Sequence, residues 1–193
     1  YRNMGINRIS FGVQSMQDRE LIALGRTHSA SQAAEAISMA KEAGFPNVSA
    51  DLMLGIPYQT EKSLLDTLEK VGVLDLQHLS IYMLKIEPGT PLSKSPLLKH
   101  CASDDEMATF YLDAVSWAKT RGFLQYEISN FAKEGYECKH NLKYWTAGEY
   151  IGFGPAAYSY FGGSRYGHSR DFKKYLKNPS GDKIDIDKDA GSE

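Results

Sequence analysis

Cysteine is scarce in this 193-residue chain. The two cysteines, Cys101 and Cys138, lie 37 positions apart, so the sequence contains neither a disulfide framework nor a CxxC-type metal motif. Unpaired thiols are typical of proteins from a reducing compartment. The sequence therefore predicts a cytoplasmic protein.

Long apolar runs are also missing. Nowhere do 18 consecutive apolar residues occur, and the first residues lack the basic, apolar and small-residue regions of a signal peptide. The sequence thus predicts neither a membrane-spanning helix nor an export signal in this chain.

Neither sign of charge is in excess, because 22 basic side chains oppose 24 acidic ones. This balance argues against a protein that binds nucleic acid or an anionic membrane over its whole surface. Residues 139–177 differ locally, since they hold seven lysines and arginines, two acids and ten aromatic residues. That mixture leaves a nucleic-acid binding module open as an alternative. The structural alternative is tyrosines packed on a sheet edge, with the basic side chains facing water.

The first two-thirds of the chain alternates short apolar runs with amphipathic helical stretches, which is the pattern of βα units over a parallel sheet. Glycine and capping residues mark the predicted boundaries of these elements. The predicted strands are Arg8–Gln14, Asn47–Leu54 and Leu79–Ile86. One predicted helix begins at the N-cap Ser31 and ends near Ala43, and a second begins at the N-cap Thr60 and ends after Val71. A third begins at a capping box of Ser103 and Glu106 and ends near Arg121.

From Leu124 onward the texture of the sequence changes. We expect a strand over Gln125–Phe131, a further strand within residues 150–163 and a short helix over Asp171–Lys177. Three βα units cannot close a (β/α)₈ barrel, which takes roughly 250 residues.

Three polar side chains, Gln14, Asp51 and Glu87, stand at predicted strand ends, where ligands bind in parallel α/β proteins. Glu87 is left out of the candidate site, because Glu-Pro-Gly-Thr is a typical turn sequence. Gln14 offers an amide donor and acceptor, and Asp51 is a carboxylate in an otherwise apolar run. A ribose diol would satisfy this carboxylate, whereas a structural role would pair it with backbone amides or a basic neighbour. Arg26, 12 positions after Gln14, is suited to a carboxylate or phosphate, although its position alone favours a surface arginine.

His140 is the one histidine that lies in a dense polar and aromatic segment, with Tyr144 and Trp145 close behind it. Its imidazole could bind a metal or haem iron while the aromatic rings stack on a flat macrocycle. The alternative is a loop packed by Tyr144 and Trp145, with His140 hydrogen-bonded locally.

Eight sequence strings, in register from residue 5 to about residue 177, resemble the HemW branch of the radical S-adenosylmethionine proteins, which are related to oxygen-independent coproporphyrinogen III oxidase. The strings are Gly12-Val-Gln-Ser15, Leu24-Gly-Arg-Thr-His28, Ser49-Ala-Asp-Leu-Met-Leu-Gly-Ile-Pro57 with Gln59-Thr60, His78-Leu-Ser-Ile-Tyr82, Glu87-Pro-Gly-Thr-Pro-Leu92, Tyr126-Glu-Ile-Ser-Asn-Phe-Ala132, His140-Asn-Leu-Lys-Tyr-Trp145 and Tyr150-Ile-Gly-Phe-Gly-Pro-Ala-Ala157.

The resemblance implies an α/β fold. Residues 1–122 would form the C-terminal βα units of a partial (β/α)₆ barrel. Residues 123–193 would hold the last barrel strand region, the HNxxYW loop and the start of a smaller α+β C-terminal domain. It also implies a [4Fe-4S] cluster and S-adenosylmethionine, with the family's glutamine, arginine and aspartate ligands of that cofactor falling on Gln14, Arg26 and Asp51.

The family's cluster motif CxxxCxxC is absent from this sequence, and Cys101 and Cys138 cannot replace it. We therefore expect the cluster-binding part to precede Tyr1 in a longer protein, and this chain alone not to assemble the cluster.

The string from His140 to Trp145 is typical of the haem-chaperone branch. The resemblance thus implies haem binding through His140, Tyr144 and Trp145, with His140 as ligand to the iron, and delivery of haem to acceptor proteins such as respiratory enzymes. Anaerobic oxidative decarboxylation of coproporphyrinogen propionates is the enzymatic alternative, so the resemblance leaves open whether the protein is an enzyme. A homodimer and peripheral association with membrane-bound acceptors also stay open, and no nucleic-acid partner is expected.

Overall fold

A computed structural model describes residues 1–179 and the backbone of residues 183–185. These residues fall into two compact units, one from Tyr1 to Glu137 and one that begins at Cys138. The division lies later than the boundary between residues 122 and 123 that we expected from the resemblance. The reason is that residues 124–132 pair with the sheet of the first unit.

The first unit is built on a five-stranded sheet in the order β1-β2-β3-β5-β4. Strands β1, β2 and β3 are parallel, as predicted, and β5 and β4 add antiparallel pairs at one side. The strands are β1 (Arg8–Gln14), β2 (Asn47–Leu54), β3 (His78–Met83), β4 (Leu124–Gln125) and β5 (Asn130–Ala132).

Four helices accompany this sheet: α1 (Asp18–Ala23), α2 (Ala30–Glu42), α3 (Glu61–Gly72) and α4 (Asp104–Thr120), with short 3₁₀ turns at Arg2–Met4, Leu92–Lys94 and Pro96–His100. The apolar side chains of the strands form one core with those of α2, α3 and α4. Along β2, Val48, Ala50, Leu52 and Leu54 are buried in this core. Because side chains alternate along a strand, Ser49 and Asp51 lie on the opposite, polar face of the sheet.

Local capping signals placed two helices as predicted. Thr60 caps α3 and Ser103 caps α4, each in a reciprocal capping box. The predicted start of α2 at Ser31 is wrong by two residues, because Ser29 accepts from the Gln32 backbone and the Gln32 side chain accepts in return. The six-residue helix α1 has no predicted counterpart.

Two strand predictions needed correction. The third strand ends at Met83 rather than Ile86, because Met83 pairs with Leu54, the last residue of β2, and the ladder has no partner beyond it. The single strand predicted over Gln125–Phe131 is instead two short antiparallel strands, β4 and β5, joined by a turn. At that turn the Tyr126 amide donates to the Asn130 carbonyl at 3.2 Å.

The second unit contains helix α5 (Lys139–Trp145), a hairpin of β6 (Tyr158–Phe161) and β7 (Ser164–His168), helix α6 (Phe172–Lys177) and β8 (Lys183–Asp185), which pairs with β7. The predicted helix near Asp171 is confirmed, with Asp171 as its N-cap. The HNxxYW loop is a helix, because the Leu142 and Thr146 amides donate to carbonyls four residues earlier. None of the helices in the described part of the chain combines the length and apolarity needed to cross a bilayer.

Candidate functional site

Asp51 lies on the polar face of the sheet, in the middle of β2. Its Oδ1 accepts a hydrogen bond from Ser10 Oγ at 2.9 Å, which ties β2 to β1 on that face. Ser80 of β3 is its register partner on the other side. The carboxylate is partly exposed and no described cation pairs with it. A ligand with hydroxyl or ammonium donors could therefore use its remaining lone pairs.

Gln14 ends β1 with a backbone of unusual geometry. Its φ is +66°, a left-handed value that is uncommon for a residue with a side chain, and the register of β1 against β2 shifts just before it. Its Nε2 lies 2.9 Å from the point that a Cβ on Gly12 would occupy. Glycine at position 12 thus leaves the room in which the Gln14 amide sits.

Arg26 lies in the connection between α1 and α2, where its amide donates to the Leu21 carbonyl at 3.0 Å. Its exposed side chain lines a cleft of about 260 Å³, together with Ile22 and His28. His28 also lines a neighbouring cleft beside Gly12, and its Nε2 lies 3.3 Å from the Val13 carbonyl oxygen.

Of the three residues expected to hold S-adenosylmethionine, two have described contacts with β1 and the third has none with the other two. Asp51 is hydrogen-bonded to β1 through Ser10, and Gln14 packs over Gly12 in the same strand. Arg26 reaches this region only through the clefts that His28 lines, and no described contact joins it to Gln14 or Asp51.

His140, Tyr144 and Trp145 lie together on α5. The spacing of four residues puts His140 beside Tyr144 on the helix surface. Tyr144 Oη lies 3.0 Å from His140 Nε2, and the two rings meet edge to face at 5.1 Å. All three side chains are exposed, Trp145 at 58%. The local hydrogen bond that the sequence left open as an alternative is therefore present, on the nitrogen that faces Tyr144.

A buried histidine on the polar face was missed as a site residue. His78 Nδ1 lies 2.8 Å from Ser49 Oγ, and its Nε2 lies 2.8 Å from the Tyr126 hydroxyl. Burial, with a smaller effect of Arg8, lowers the pKa of His78 to about 3, so the ring is neutral at physiological pH. The feature of the sequence that could have pointed to His78 is a histidine at the start of an apolar strand.

Asn130 shares that face, because it is the register partner of Ser80. Its Nδ2 donates to the Glu127 carboxylate, which also accepts from the Ser129 amide at 3.0 Å. Since a carboxylate only accepts, the Asn130 amide is held with Oδ1 away from Glu127. That buried Oδ1 has no hydrogen-bond partner among the described residues.

Comparison with known proteins shows which proteins this chain resembles. The sequence model of the radical SAM superfamily matches residues 1–71. The chain is 40% identical over 179 residues to heme chaperone HemW of Bacillus subtilis (strain 168), a match that covers 91% of this chain and 47% of that protein. It is also 40% identical over 159 residues to heme chaperone HemW of Escherichia coli (strain K12), covering 82% of this chain and 41% of that protein. Over most of its length the chain is thus similar to the HemW proteins, and its first 71 residues match the radical SAM superfamily.

A solved structure shares the fold of this HemW-like chain. Coproporphyrinogen III oxidase (HemN) from Escherichia coli, a radical SAM enzyme, superposes with a TM-score of 0.79 at 19% sequence identity. The alignment covers 96% of this chain and 47% of that chain. The radical SAM α/β fold predicted from the sequence is therefore confirmed. The chain spans about half the length of the curated relatives it matches.

The residues of this HemW-like chain fit one family cofactor better than the other. The superfamily implies S-adenosylmethionine and a [4Fe-4S] cluster. An available carboxylate at Asp51 and an amide at Gln14 are suited to a hydroxyl-rich adenosyl group. A cluster needs three cysteine ligands, but Cys101 and Cys138 lie in different units. The described residues contain no group of three metal-ligating side chains.

Proposed function

We propose that the protein is a haem chaperone that binds haem in the cytoplasm and passes it to acceptor haemoproteins. The observation that carries this proposal is the 40% identity to heme chaperone HemW of Bacillus subtilis over 91% of this chain. HemW proteins of Haemophilus influenzae and Lactococcus lactis, at 39% and 36% identity, support the same activity.

The proposal includes S-adenosylmethionine bound through Gln14, Arg26 and Asp51. Asp51 would accept hydrogen bonds from the ribose hydroxyls with the carboxylate oxygen that Ser10 leaves available. Gln14 would contribute its amide from the end of β1. Arg26 would pair with the methionyl carboxylate, because its guanidinium has no described ion-pair partner. The [4Fe-4S] cluster would take its cysteine ligands from outside these 193 residues.

The haem contact of the proposal lies on α5. An imidazole nitrogen of His140 would bind the iron, and the exposed rings of Tyr144 and Trp145 would cover part of the porphyrin face. Binding through Nε2 would require the Tyr144 hydroxyl to release that nitrogen, which now lies 3.0 Å away. Because all three residues belong to one helix, α5 itself keeps the two aromatic residues next to the histidine.

A haem titration of His140→Ala tests this arrangement. The absorption band of bound haem reports the axial ligand, and we expect the variant to shift the band and to weaken binding about 10-fold or more. Lys143→Ala is the matched control, because Lys143 is an exposed residue of the same helix. A His140→Ala titration indistinguishable from that of the unmodified chain would exclude His140 as ligand, and failure of a longer protein that includes the cluster ligands to bind haem would exclude the chaperone function.

The decarboxylase alternative has a separate test. The likeness to coproporphyrinogen III oxidase is a likeness of fold, at 19% identity. Incubation of a longer protein that includes the cluster ligands, loaded with its cluster, with coproporphyrinogen and S-adenosylmethionine should leave the propionates intact if the protein is a chaperone. Release of two carboxyl groups as carbon dioxide would instead identify an enzyme.

A further inference from the structure

An apolar groove runs along α1 in the first unit. It consists of two clefts, of about 240 and 500 Å³, that share Ala23 and Leu97 in their walls. We call it the α1 groove. Its remaining lining residues are Leu24, Gly25, Pro91, Leu92 and Ser95 in the smaller cleft and Arg19, Ile22 and Tyr58 in the larger.

The α1 groove stands where a parallel sheet binds ligands. Helix α1 follows the end of β1, Tyr58 follows the end of β2 and residues 91–97 belong to the segment that follows β3. Carboxyl ends of parallel strands are the usual ligand-binding edge of such sheets. Ile22 also lines the cleft that contains Arg26, so the groove adjoins the proposed adenosyl site.

Arg19 brings one positive charge to these apolar walls. Its guanidinium carbon lies 4.1 Å from the centroid of the Tyr58 ring, within the range of a cation–π contact. No described carboxylate forms an ion pair with Arg19, and its side chain is exposed. The charge therefore remains available to an anionic ligand in the groove.

Tyr58 has a strained backbone conformation that its neighbours hold in place. Its φ of +69° is a left-handed value, a conformation that persists only when the surroundings enforce it. Its amide donates to the His100 carbonyl at 2.9 Å, and the His100 ring lies 4.6 Å from its own ring. The ring under Arg19 is thus fixed by the segment that forms the other wall of the groove.

We propose that the α1 groove binds an apolar ligand that carries a carboxylate, and that this ligand is haem, bound through a propionate. The identification of haem rests on the function proposed above. Arg19 pairs with the propionate, and Ile22 and Leu97 contact the apolar macrocycle. Ile22 is 75% exposed, so a bound macrocycle would remove apolar surface from water.

Haem and its dimethyl ester, which lacks the propionate charges, separate the two parts of this interaction. Arg19→Gln should weaken haem binding about 10-fold, because a charge-assisted hydrogen bond is lost, and leave the affinity for the ester unchanged. Leu97→Asn should weaken binding of both. Arg170→Gln, an exposed arginine of the second unit, is the control.

Hydrogen exchange provides a second measurement on the unmodified chain. Haem should slow amide exchange in residues 19–24 and 91–97. Protection confined to α5, or unchanged haem affinity in both Arg19→Gln and Leu97→Asn, would overturn the groove proposal while the chaperone function stands. Absence of haem binding in both this chain and a longer protein that includes the cluster ligands would overturn both proposals.

Discussion

The imidazole of His78 contacts the hydroxyl of Tyr126 at 2.8 Å, and this contact joins β3 to the turn between β4 and β5. Its other nitrogen faces Ser49 of β2. One neutral ring thus links three consecutive parts of the polar face. The same turn carries Glu127, which holds the Asn130 amide. The His78 contact therefore helps to fix the orientation of side chains on the face that contains Asp51.

The first prediction concerns stability in mild acid. His78 takes up a proton near pH 6.5 in the unfolded chain but only near pH 3 in the folded protein. Between these values the unfolded state binds more protons, so the free energy of unfolding falls as the pH falls. We expect a loss of about 2 kcal/mol between pH 7.5 and pH 5, measured by urea unfolding.

His78→Gln is the matched variant for that measurement, because glutamine keeps hydrogen-bonding groups but does not titrate. It should be less stable at pH 7.5, and its stability should change less between pH 7.5 and pH 5. Equal pH dependence in the two proteins would show that other groups cause the acid sensitivity.

The second prediction separates two neighbouring serines at the start of α2. Ser29 Oγ accepts a hydrogen bond from the Gln32 backbone amide at 3.2 Å, whereas Ser31 lies within the first turn of the helix. Ser29→Ala should lower the free energy of unfolding by about 1 kcal/mol, the usual cost of an N-cap. Ser31→Ala should change it by less than about 0.5 kcal/mol. A larger loss of stability in Ser31→Ala would show that Ser31, the N-cap predicted from the sequence, caps the helix after all.

The third prediction concerns the proposed adenosyl site. An alanine at position 12 would place its Cβ 2.9 Å from Gln14 Nε2, so the amide must move. Gly12→Ala and Asp51→Asn should each weaken S-adenosylmethionine binding about 10-fold in a calorimetric titration, by displacing one polar contact or removing one charge. Asp105→Asn, on the exposed start of α4, is the control. Wild-type affinity in both site variants would remove Gln14 and Asp51 from the proposal.

The fourth prediction concerns the cluster. This chain should bind no [4Fe-4S] cluster when it is incubated anaerobically with ferrous iron and sulfide, because it has two cysteines and no CxxxCxxC motif. The visible absorption of a cluster is the measurement, with the Cys101→Ser and Cys138→Ser variants as controls. Cluster absorption that disappears in either variant would contradict the expectation.

Local signals predicted the elements whose ends are set by their own residues. Strand β1 was predicted with its observed bounds, and Asp171 caps α6 because its carboxylate accepts from two amides of the first turn. The turn between β4 and β5 depends on pairing with β3, a partner more than 40 residues away, so the alternating pattern alone suggested one strand. Helix α1 has only six residues, too few for a periodic signal.

The residues of the candidate site also differ in how far local sequence signals predict their positions. Gln14 ends β1 as the sequence predicted, because the end of that strand is recognisable in the sequence. The expectation that Asp51 stands at a strand end is wrong, because β2 continues to Leu54 and Asp51 lies within it. The position of Arg26 depends on how the α1–α2 connection folds, and its contacts therefore had to come from the structure. The helix that contains His140 was interpreted as a loop because seven residues rich in polar and aromatic side chains carry little amphipathic pattern.

The hydrogen bond between Tyr144 and His140 has a consequence for how firmly α5 could hold a metal. Iron that binds Nε2 must first displace the phenol, and the phenol can return when the metal leaves. Because iron binding costs the imidazole its hydrogen bond to the phenol, the net affinity of His140 for the iron is lowered and release of the iron is easier. For the haem chaperone proposed above, this weaker binding would ease the transfer of haem to an acceptor protein.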